Sequence, residues 1–484
     1  MSTIDPRAPR ATEVVIPPPD GLARPAGLVG KLLRIPTLES LHLREYRLLW
    51  LGQGGNSMGM WMDQIARGWL MYELTDSTVQ LGFITALRAI PLLLLSPVAG
   101  ALADRYDRKR QLMVALAFDG TSHAVMAALI LSGLIEPWHV YATGAVTSVA
   151  SVFEQPARQA MVATAVDRRR LTNAIGLDSM VFNVSRSTGP ALAGALIALA
   201  GTGASYVAQA SFYLLAVLMT MQLRPPSPVM LSHSGRAAAP EPGDGVAERH
   251  PAGAGHGRSA VASPRPGGGE PKHTAARPAG DAPRPSLVSS TLDGWRYVLT
   301  HATVRSAMLV MLLTSLLAAP FTTLLPVFAR DILDAGPRGQ GLLLSAMGIG
   351  ALGSAIAIAT LGERLARGML MLAGAFAYGL SVLAFAASGW LALSVALMVV
   401  AGAANVACNA LVRTVVQGYS PREMGGRVLG ALQQGMSLYT IGGLIAGALA
   451  AVWGAPWTVG VMAALCTVSA LTLFVAIPSA RAIR

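Results

Sequence analysis

Apolar runs of 21 to 27 residues, separated by short polar breaks, dominate the chain. They lie at roughly 48–74, 79–103, 111–134, 138–163, 174–200, 203–223, 303–329, 340–362, 368–389, 391–416, 427–452 and 456–478. About 20 mainly apolar residues cross the hydrocarbon of a bilayer, so the pattern predicts twelve transmembrane helices, numbered here spans 1 to 12. Glycine and proline recur inside the runs, as membrane helices tolerate. The ten-residue alternation of barrel strands is missing. Between spans 6 and 7 the pattern stops. Residues 224–290 are rich in Pro, Gly, Ala, Ser, His and Arg and hold too few large apolar side chains to bury a core.

The expected organisation is a cytoplasmic tail (1–47), an N-terminal six-helix bundle (48–223), a disordered cytoplasmic linker (224–290), a C-terminal six-helix bundle with an amphipathic lead-in (291–480), and a cytoplasmic tail (481–484). Within the first tail, "VGKLLRIPTLESLHLREYR" either lies on the inner surface as an interfacial helix or is a partly ordered tail. A linker at the midpoint suggests duplication, and two echoes between the halves support it. "GERLAR" places Glu363, Arg364 and Arg367 at an offset of 259 from Asp104, Arg105 and Arg108, in the equivalent loop. Gly176 aligns with Gly430 at an offset of 254, and Gly194 with Gly447 at 253. The fold class expected is an all-α membrane protein of two pseudo-symmetric six-helix bundles, with a cavity between them and an axis along the membrane normal.

Charge sharpens this picture. Only 13% of residues are charged, against about 25% in a soluble domain. The net charge of +12 is distributed as the positive-inside rule requires rather than as a nucleic-acid surface. The 1–2, 3–4, 5–6, 9–10 and 11–12 connections carry no Lys or Arg, whereas the even-to-odd loops are basic. Arg330 and Arg338, in the 7–8 connection, are the exceptions. The chain is therefore expected in a bacterial cell (inner) membrane with both termini cytoplasmic, in contact with the lipid bilayer and not with nucleic acid. Residues 1–47 hold no signal-peptide core, so span 1 is expected to direct insertion. Cys408 and Cys466 lie in separate spans without metal-ligand spacing. No phosphate loop and no catalytic triad spacing occur. No enzyme, no cofactor and no metal are expected.

One loop is unusual. "GALADRYDRKRQLM", 100–113, packs six charges into the seven positions from Asp104 to Arg110. It resembles the signature of the major facilitator superfamily, G-x-L-A-D-R-x-G-R-[KR]-x-x-L, through Gly100, Leu102, Ala103, Asp104, Arg105, Arg108, Lys109 and Leu112, with Asp107 in place of a family glycine. "YRLLWLGQ", "IARGWLMYELT" and "QPARQAMV" are similar to the branch that holds macrolide and siderophore exporters. The resemblance covers nearly all of residues 44 to 480 outside the linker. It implies a gating motif made of Gly100, Asp104, Arg105, Arg108 and Lys109 with its echo Glu363, Arg364 and Arg367. Asp104 would latch onto the positive start of span 11 near Gly425 and Gly426. Glu363 would meet the start of span 5 near Leu171 and Thr172. Alternatively the basic residues simply hold the loop inside.

Span 5 carries Gly176, Gly189, Pro190 and Gly194 in the spacing of the superfamily's antiporter pattern, with Ser185 and Ala193 replacing two glycines. The resemblance to that pattern implies export by exchange; alternatively these are the Gly and Pro residues common in membrane helices. Charged residues inside spans are the other signal, because each costs about 2.5 to 3.5 kcal/mol at mid-bilayer even on a lenient scale. Asp63 with Arg67, Asp119 with His123, and Glu154 with Arg158 each lie four apart on one helical face. Arg88, Asp178 and Arg186 are further candidates for proton or ion coupling beside Asp63, Arg67 and Asp119. A permanent structural ion pair is the competing reading of Asp63 with Arg67. The R-x-x-Q-G element of many proton-coupled relatives is missing from span 4, so either another arginine such as Arg67 or Arg88 takes its place or the coupling differs. Met60, Trp61, Asn183, Asn405, Gln433, Gln434 and Tyr439 are candidates for lining a substrate cavity.

Three functions fit this reading. The first is a monomeric secondary transporter that exports an amphiphilic small molecule in exchange for protons. The second is an uptake permease, or an exporter dedicated to one metabolite, of the same fold. The third is a membrane sensor or scaffold that transports nothing.

Overall fold

The computed structural model describes residues 36–105, 107–167, 169–224, 287–361, 366–421 and 424–476. The expected tails before residue 36 and at 481–484, and all but the ends of the expected linker, lie outside the described residues. Every regular element among the described residues is helical, and the twelve spans form two pseudo-symmetric six-helix bundles.

Spans 1 to 4 are the helices Arg44–Thr75, Thr78–Arg105, Arg108–Leu131 and Pro137–Ala165. Spans 5 and 6 form one helical stretch, Leu171–Met221, broken at Gly201 with φ 79°. Spans 8, 9, 10 and 12 are Gly336–Leu361, Arg367–Ala386, Leu391–Tyr419 and Ala455–Ala476. Eight of the helical stretches are long and apolar enough to cross a membrane, the 51-residue one accounting for two spans. Spans 1, 2 and 4 have the length, at 32, 28 and 29 residues. Spans 1 and 4 are more polar because Asp63, Arg67, Glu154 and Arg158 are buried within them.

Two spans of the C-terminal bundle are discontinuous. Span 7 runs as Ala302–Leu313, then a π turn, a 3-10 segment at Ala319–Leu324 and a second π turn ending at Ile332. Pro320 and Pro326 lie in this stretch, and each removes a backbone donor and disfavours a regular ladder. Span 11 breaks at Ser437 into Gly425–Met436 and Leu438–Trp453.

The distribution of packed side chains shows how the bundles meet. The basic side is the side bearing the even-to-odd loops, and the opposite one is the far side. One hydrophobic core runs through both bundles, joining Trp69, Leu81 and Ala193 with Phe328, Leu343 and Ala446. Two smaller cores stay within single bundles toward the basic side: Leu49, Leu112 and Leu177 in the first, and Met308, Val412 and Val428 in the second. Among the described residues, the bundles thus share a core on the far side and have separate cores on the basic side.

The far-side contact is symmetric. Spans 2 and 11 touch at Gly82 and Gly447, where a Cβ on Gly82 would stand 2.7 Å from the Gly443 carbonyl oxygen and a Cβ on Gly447 2.5 Å from that of Thr78. Spans 5 and 8 touch in the same way at Gly194 and Gly341. A Cβ on Gly341 would stand 2.6 Å from the Pro190 carbonyl oxygen, and one on Gly194 would collide with that of Pro337. Gly82 and Thr78 precede Gly341 and Pro337 by the same 259 positions that separate Asp104 from Glu363. The built Cβ of Gly194 lies 3.1 Å from the Gly341 Cα, and that of Gly447 lies 3.1 Å from the Gly82 Cα. Toward the basic side Gly176, Gly430, Gly425 and Gly426 have no neighbour within 4 Å of a built-on Cβ among the described residues.

Polar contacts reinforce the far side. The Thr78 hydroxyl donates to the Gly447 carbonyl at 2.9 Å, Arg330 pairs with Asp76 at 2.7 Å, and the Tyr72 hydroxyl donates to the Asp331 carboxylate. The Arg330 guanidinium also lies 5.1 Å above the Tyr72 ring. This explains one of the two charge exceptions in the 7–8 connection: Arg330 joins span 7 to the end of span 1.

Two short helices strap the basic ends. The 3-10 helix Pro36–His42 ties to the start of span 5 through an Arg170–Glu39 pair at 2.9 Å and a bond from the Ser40 N–H to Asn173 Oδ1. The lead-in helix Leu287–Thr300 ties to the start of span 11, where Arg427 pairs with Asp293 at 2.9 Å. Span 3 begins where it does because Asp107 is its N-cap and accepts a bond from the Arg110 N–H at 3.1 Å. The departure from the family glycine is thus a cap.

Replacing Gly82 or Gly341 by Val should keep the far side from closing. A cavity cysteine at Thr440→Cys should then become reactive to a membrane-impermeant thiol reagent added on the far side; labelling no faster than in the parent would refute the seam. Asp107→Ala should cost about 1 kcal/mol of stability, read as a lower melting temperature of the solubilised protein, and an unchanged melting temperature would refute the cap.

Candidate functional site

A carboxylate in the middle of span 1 organises the interior of the first bundle. Asp63, 2% exposed, receives Arg67 in a two-point contact, Nη2 to Oδ1 at 2.9 Å and Nε to Oδ2 at 3.0 Å. The i, i+4 spacing on one helical face makes this fork possible. His123 Nε2 approaches Oδ1 at 3.4 Å from span 3, and Arg88 Nη1 approaches Oδ2 at 3.8 Å from span 2. Arg67 also donates to span 4, through Nη1 to the Val140 carbonyl at 3.1 Å and to Thr143 Oγ1 at 3.0 Å. Gly144 leaves room for it, since a Cβ there would sit 3.4 Å from Nη1. One guanidinium therefore links spans 1 and 4, and three spans converge on one carboxylate, with the fourth joined through Arg67.

His123 is held as tightly. Its Nδ1 lies 2.7 Å from the Asp119 carbonyl oxygen, and its ring stacks on Tyr213 with centroids 4.8 Å apart. The Asp119 side chain is buried as well, and among the described residues no ion pair or hydrogen bond to its carboxylate is found. A second cluster lies nearer the basic side. Glu154 Oε1 accepts from Arg158 at 2.8 Å and from Asn56 at 2.8 Å. The Tyr46 hydroxyl donates to Asp178 Oδ1 at 3.1 Å. Asp63 and Glu154 are thus neutralised inside the bundle, as the cost of an unpaired charge in hydrocarbon demands.

Between the bundles lies a cavity of about 440 Å³, lined on one side by Met60, Trp61, Gln64, Arg67, Arg88 and Phe182. Thr322, Thr323, Gln340, Tyr439 and Thr440 face them from the second bundle. A neighbouring cavity of about 180 Å³ adds Arg186, Pro190, Met347, Tyr378 and Asn405 and shares Trp61, Gln64, Thr322 and Tyr439 with the first. The wall residues of the second bundle cluster at the breaks of spans 7 and 11, where unwound backbone faces the space between the bundles rather than lipid. Trp61 sits edge-on to Phe182 at 5.6 Å and carries the Arg186 guanidinium 5.4 Å from its centroid.

The residues singled out by sequence divide accordingly. Asp63, Arg67 and Arg88 meet in one cluster. Asp119 adjoins it through His123. Asp178 and Arg186 stand apart from it, on Tyr46 and Trp61. Met60, Trp61, Asn405 and Tyr439 line the cavities. Asn183, Gln433 and Gln434 do not: Asn183 bonds its own helix at the Ser179 carbonyl, Gln433 is exposed, and Gln434 receives the Trp295 indole N–H at 2.9 Å. Gly189 and Gly194 lie at close helix contacts, with Trp61 and with span 8 respectively, whereas Gly176 has no such contact among the described residues. Lys109 caps the end of span 6, donating to the Met221 and Leu223 carbonyls at 2.9 and 2.5 Å. Arg108 and Arg367 lie at the starts of spans 3 and 9. The side chains of Gly100, Asp104 and Arg105 lie outside the described residues, as do Glu363 and Arg364. Sequence reasoning missed Gln64, Thr322, Thr323, Gln340 and Thr440, neutral residues that composition does not flag.

The model of a transmembrane secretion effector family matches residues 36–231 and 272–483. The staphyloferrin A transporter of Staphylococcus aureus is 34% identical over 169 residues, covering 34% of this chain and 42% of that protein. Macrolide efflux protein A of Streptococcus pyogenes is 24% identical, covering 31% and 38%. The match to the first of these relatives thus spans about two fifths of its length. The multidrug efflux pump Tap of Mycobacterium tuberculosis is 23% identical over 376 residues, covering 76% and 78%. Among solved structures, a bacterial homologue of the lysosomal transporter Spinster, inward-facing and unoccupied, is similar with a TM-score of 0.65 at 12% identity, covering 93% of this chain and 98% of that one. The nucleoside transporter NupG gives 0.63 at 14% identity, covering 90% and 99%. At such identities the structures speak for the fold alone, and the family and its relatives are named for transport rather than for catalysis. With its two bundles, its charged 2–3 loop and a family match over most of its length, the chain belongs to the transmembrane secretion effector family of the major facilitator superfamily.

Proposed function

We propose that the chain is a monomeric secondary transporter of the bacterial inner membrane, exporting an amphiphilic small molecule by alternating access in exchange for protons. The observation that carries this reading is a polar and aromatic cavity between two bundles that share a core on the far side and separate on the basic side. With the basic side in the cytoplasm, as the loop charges indicate, cargo enters the cavity from inside the cell. The efflux relatives support the outward direction.

In this scheme the seam opens on the far side as the basic side closes. Gly176 and Gly430, without close neighbours among the described residues, then receive the neighbouring spans. Asp104 meets the start of span 11 at Gly425 and Gly426, and Glu363 the start of span 5 near Leu171 and Thr172. Protons act at the Asp63 cluster, where Arg67 takes the place of the missing span 4 arginine, and at Asp119, a carboxylate without a cation of its own. Burying a charge without a partner is costly, and taking up a proton removes the cost.

A second reading, carriage of cargo and proton together in the inward direction, is supported by one feature. Arg67 and Arg88 serve both Asp63 and the cavity wall. Protonating Asp63 therefore raises the positive charge facing the cargo.

Asp63→Asn and Asp104→Asn should each lower transport at least tenfold while leaving the amount in the membrane unchanged. The check is efflux of dyes, macrolides and catecholates from loaded cells, with and without a proton gradient. Transport equal to the parent in both variants would overturn the scheme. In liposomes, protons moving against the cargo support exchange, and protons moving with it support the second reading.

A further inference from the structure

The charge on the cavity wall is one-sided. Three guanidiniums line the two joined cavities, Arg67, Arg88 and Arg186, and neither cavity is lined by an Asp or a Glu. The carboxylate within reach of this wall is Asp63, set behind it and held by Arg67 at two points. Arg88, whose side chain is 36% exposed, reaches the same carboxylate only at 3.8 Å. Asp63 cannot neutralise both.

Arg186 has less. Other paired arginines have an acid of their own: Arg158 has Glu154, Arg170 has Glu39, Arg330 has Asp76, and Arg427 has Asp293. Among the described residues Arg186 makes no ion pair or hydrogen bond and rests on the face of Trp61. A guanidinium kept unpaired at this depth is anomalous for a structural residue, since charges inside spans pair or serve a ligand. Its presence also fills the aromatic face that would otherwise attract a cationic drug.

The rest of the wall suits an acceptor-rich ligand. The second bundle contributes Thr322, Thr323, Gln340, Tyr439, Thr440 and Asn405, none of them charged. The Trp61 indole N–H and the hydroxyls of Thr323 and Tyr378 are buried without a hydrogen-bond partner among the described residues. Apolar surface is present too, from Phe182, Leu81 and Ile84 beside Arg88 and from Leu344 and Met347 beside Arg186.

We propose that the cargo is an amphiphilic organic anion carrying at least two carboxylates, one held by Arg88 with Arg67 and the other by Arg186. Planar guanidiniums take carboxylates in two-point contacts, which gives orientation as well as attraction. Two compartments joined through Trp61, Gln64, Thr322 and Tyr439, each with its own guanidinium, fit two separated acidic groups better than one. The inference rests on the reading of this cavity as the cargo site and holds for either direction of transport.

The test is equilibrium binding to the purified full-length protein, with carboxyfluorescein as an anionic probe and rhodamine 6G as a cationic one. Carboxyfluorescein should bind more tightly, and citrate should compete with it. Arg186→Gln and Arg88→Gln should each weaken it about tenfold or more, and Arg186→Lys should restore part of the loss. Arg186→Glu should reverse the preference in favour of rhodamine, a gain that misfolding does not produce. Rhodamine bound as tightly as carboxyfluorescein by the parent, no binding of carboxyfluorescein at all, or carboxyfluorescein binding unaffected in Arg186→Gln would overturn the inference. Anion binding without movement of any solute in liposomes would instead retain the site and defeat the transport reading.

Discussion

A charge inside a bilayer must be sheltered, and the first bundle is built around doing so. Asp63 gathers Arg67, Arg88 and His123 from three helices, and Arg67 reaches onward to a fourth at Val140 and Thr143. That convergence fixes how spans 1 to 4 face each other. It also leaves a surplus of guanidinium at the edge of the bundle, where the second bundle supplies neutral polar and apolar groups and no charge. The asymmetry between the halves is therefore chemical more than architectural. One half carries the charges, and the other carries the broken helices that line the space with backbone and hydroxyls.

The architecture itself is symmetric, and glycine sets the distance of closest approach. Spans 2 and 11 and spans 5 and 8 cross through equivalent contacts, carbonyl against glycine, and no side chain of any size fits at those points. Tight crossings of this kind gain dispersion and weak backbone contacts over a short length of helix. They leave the remainder of each helix free to diverge, which is what the separate cores on the basic side show. Two equivalent pivots placed on either side of the axis are a natural arrangement for rocking one bundle against the other. The Asp76–Arg330 pair and the Tyr72–Asp331 bond stand outside these pivots and close the far rim.

Much of this was legible in the sequence, because hydrocarbon imposes few solutions. The twelve runs, the doubling and the loop charges followed from length and pattern alone. The Asp63–Arg67 and Glu154–Arg158 pairs followed from i, i+4 spacing. What escaped notice depended on tertiary geometry. Arg330 looked like an exception to a charge rule because its partner, Asp76, belongs to a loop some 250 residues earlier. Gln433 and Gln434 were expected in the cavity because they are polar and in span 11. The break at Ser437 separates them from Tyr439 and Thr440, so the face that holds the latter two is not the face that holds the glutamines. The glycine seam did leave a trace, since Gly82 and Gly341 share the offset of Asp104 and Glu363. One glycine among 51 has no prominence until its neighbour is seen.

The central claim is that the far and basic sides open in alternation about the glycine seam. Spin labels at Val79→Cys with Val452→Cys would report the far side, and labels at Ile175→Cys with Thr360→Cys the basic side, in protein reconstituted into lipid. The account predicts two populations at each pair, with the far pair short when the basic pair is long and the balance moving with pH. A single distance at each pair under all conditions, or two pairs that vary independently, would contradict it.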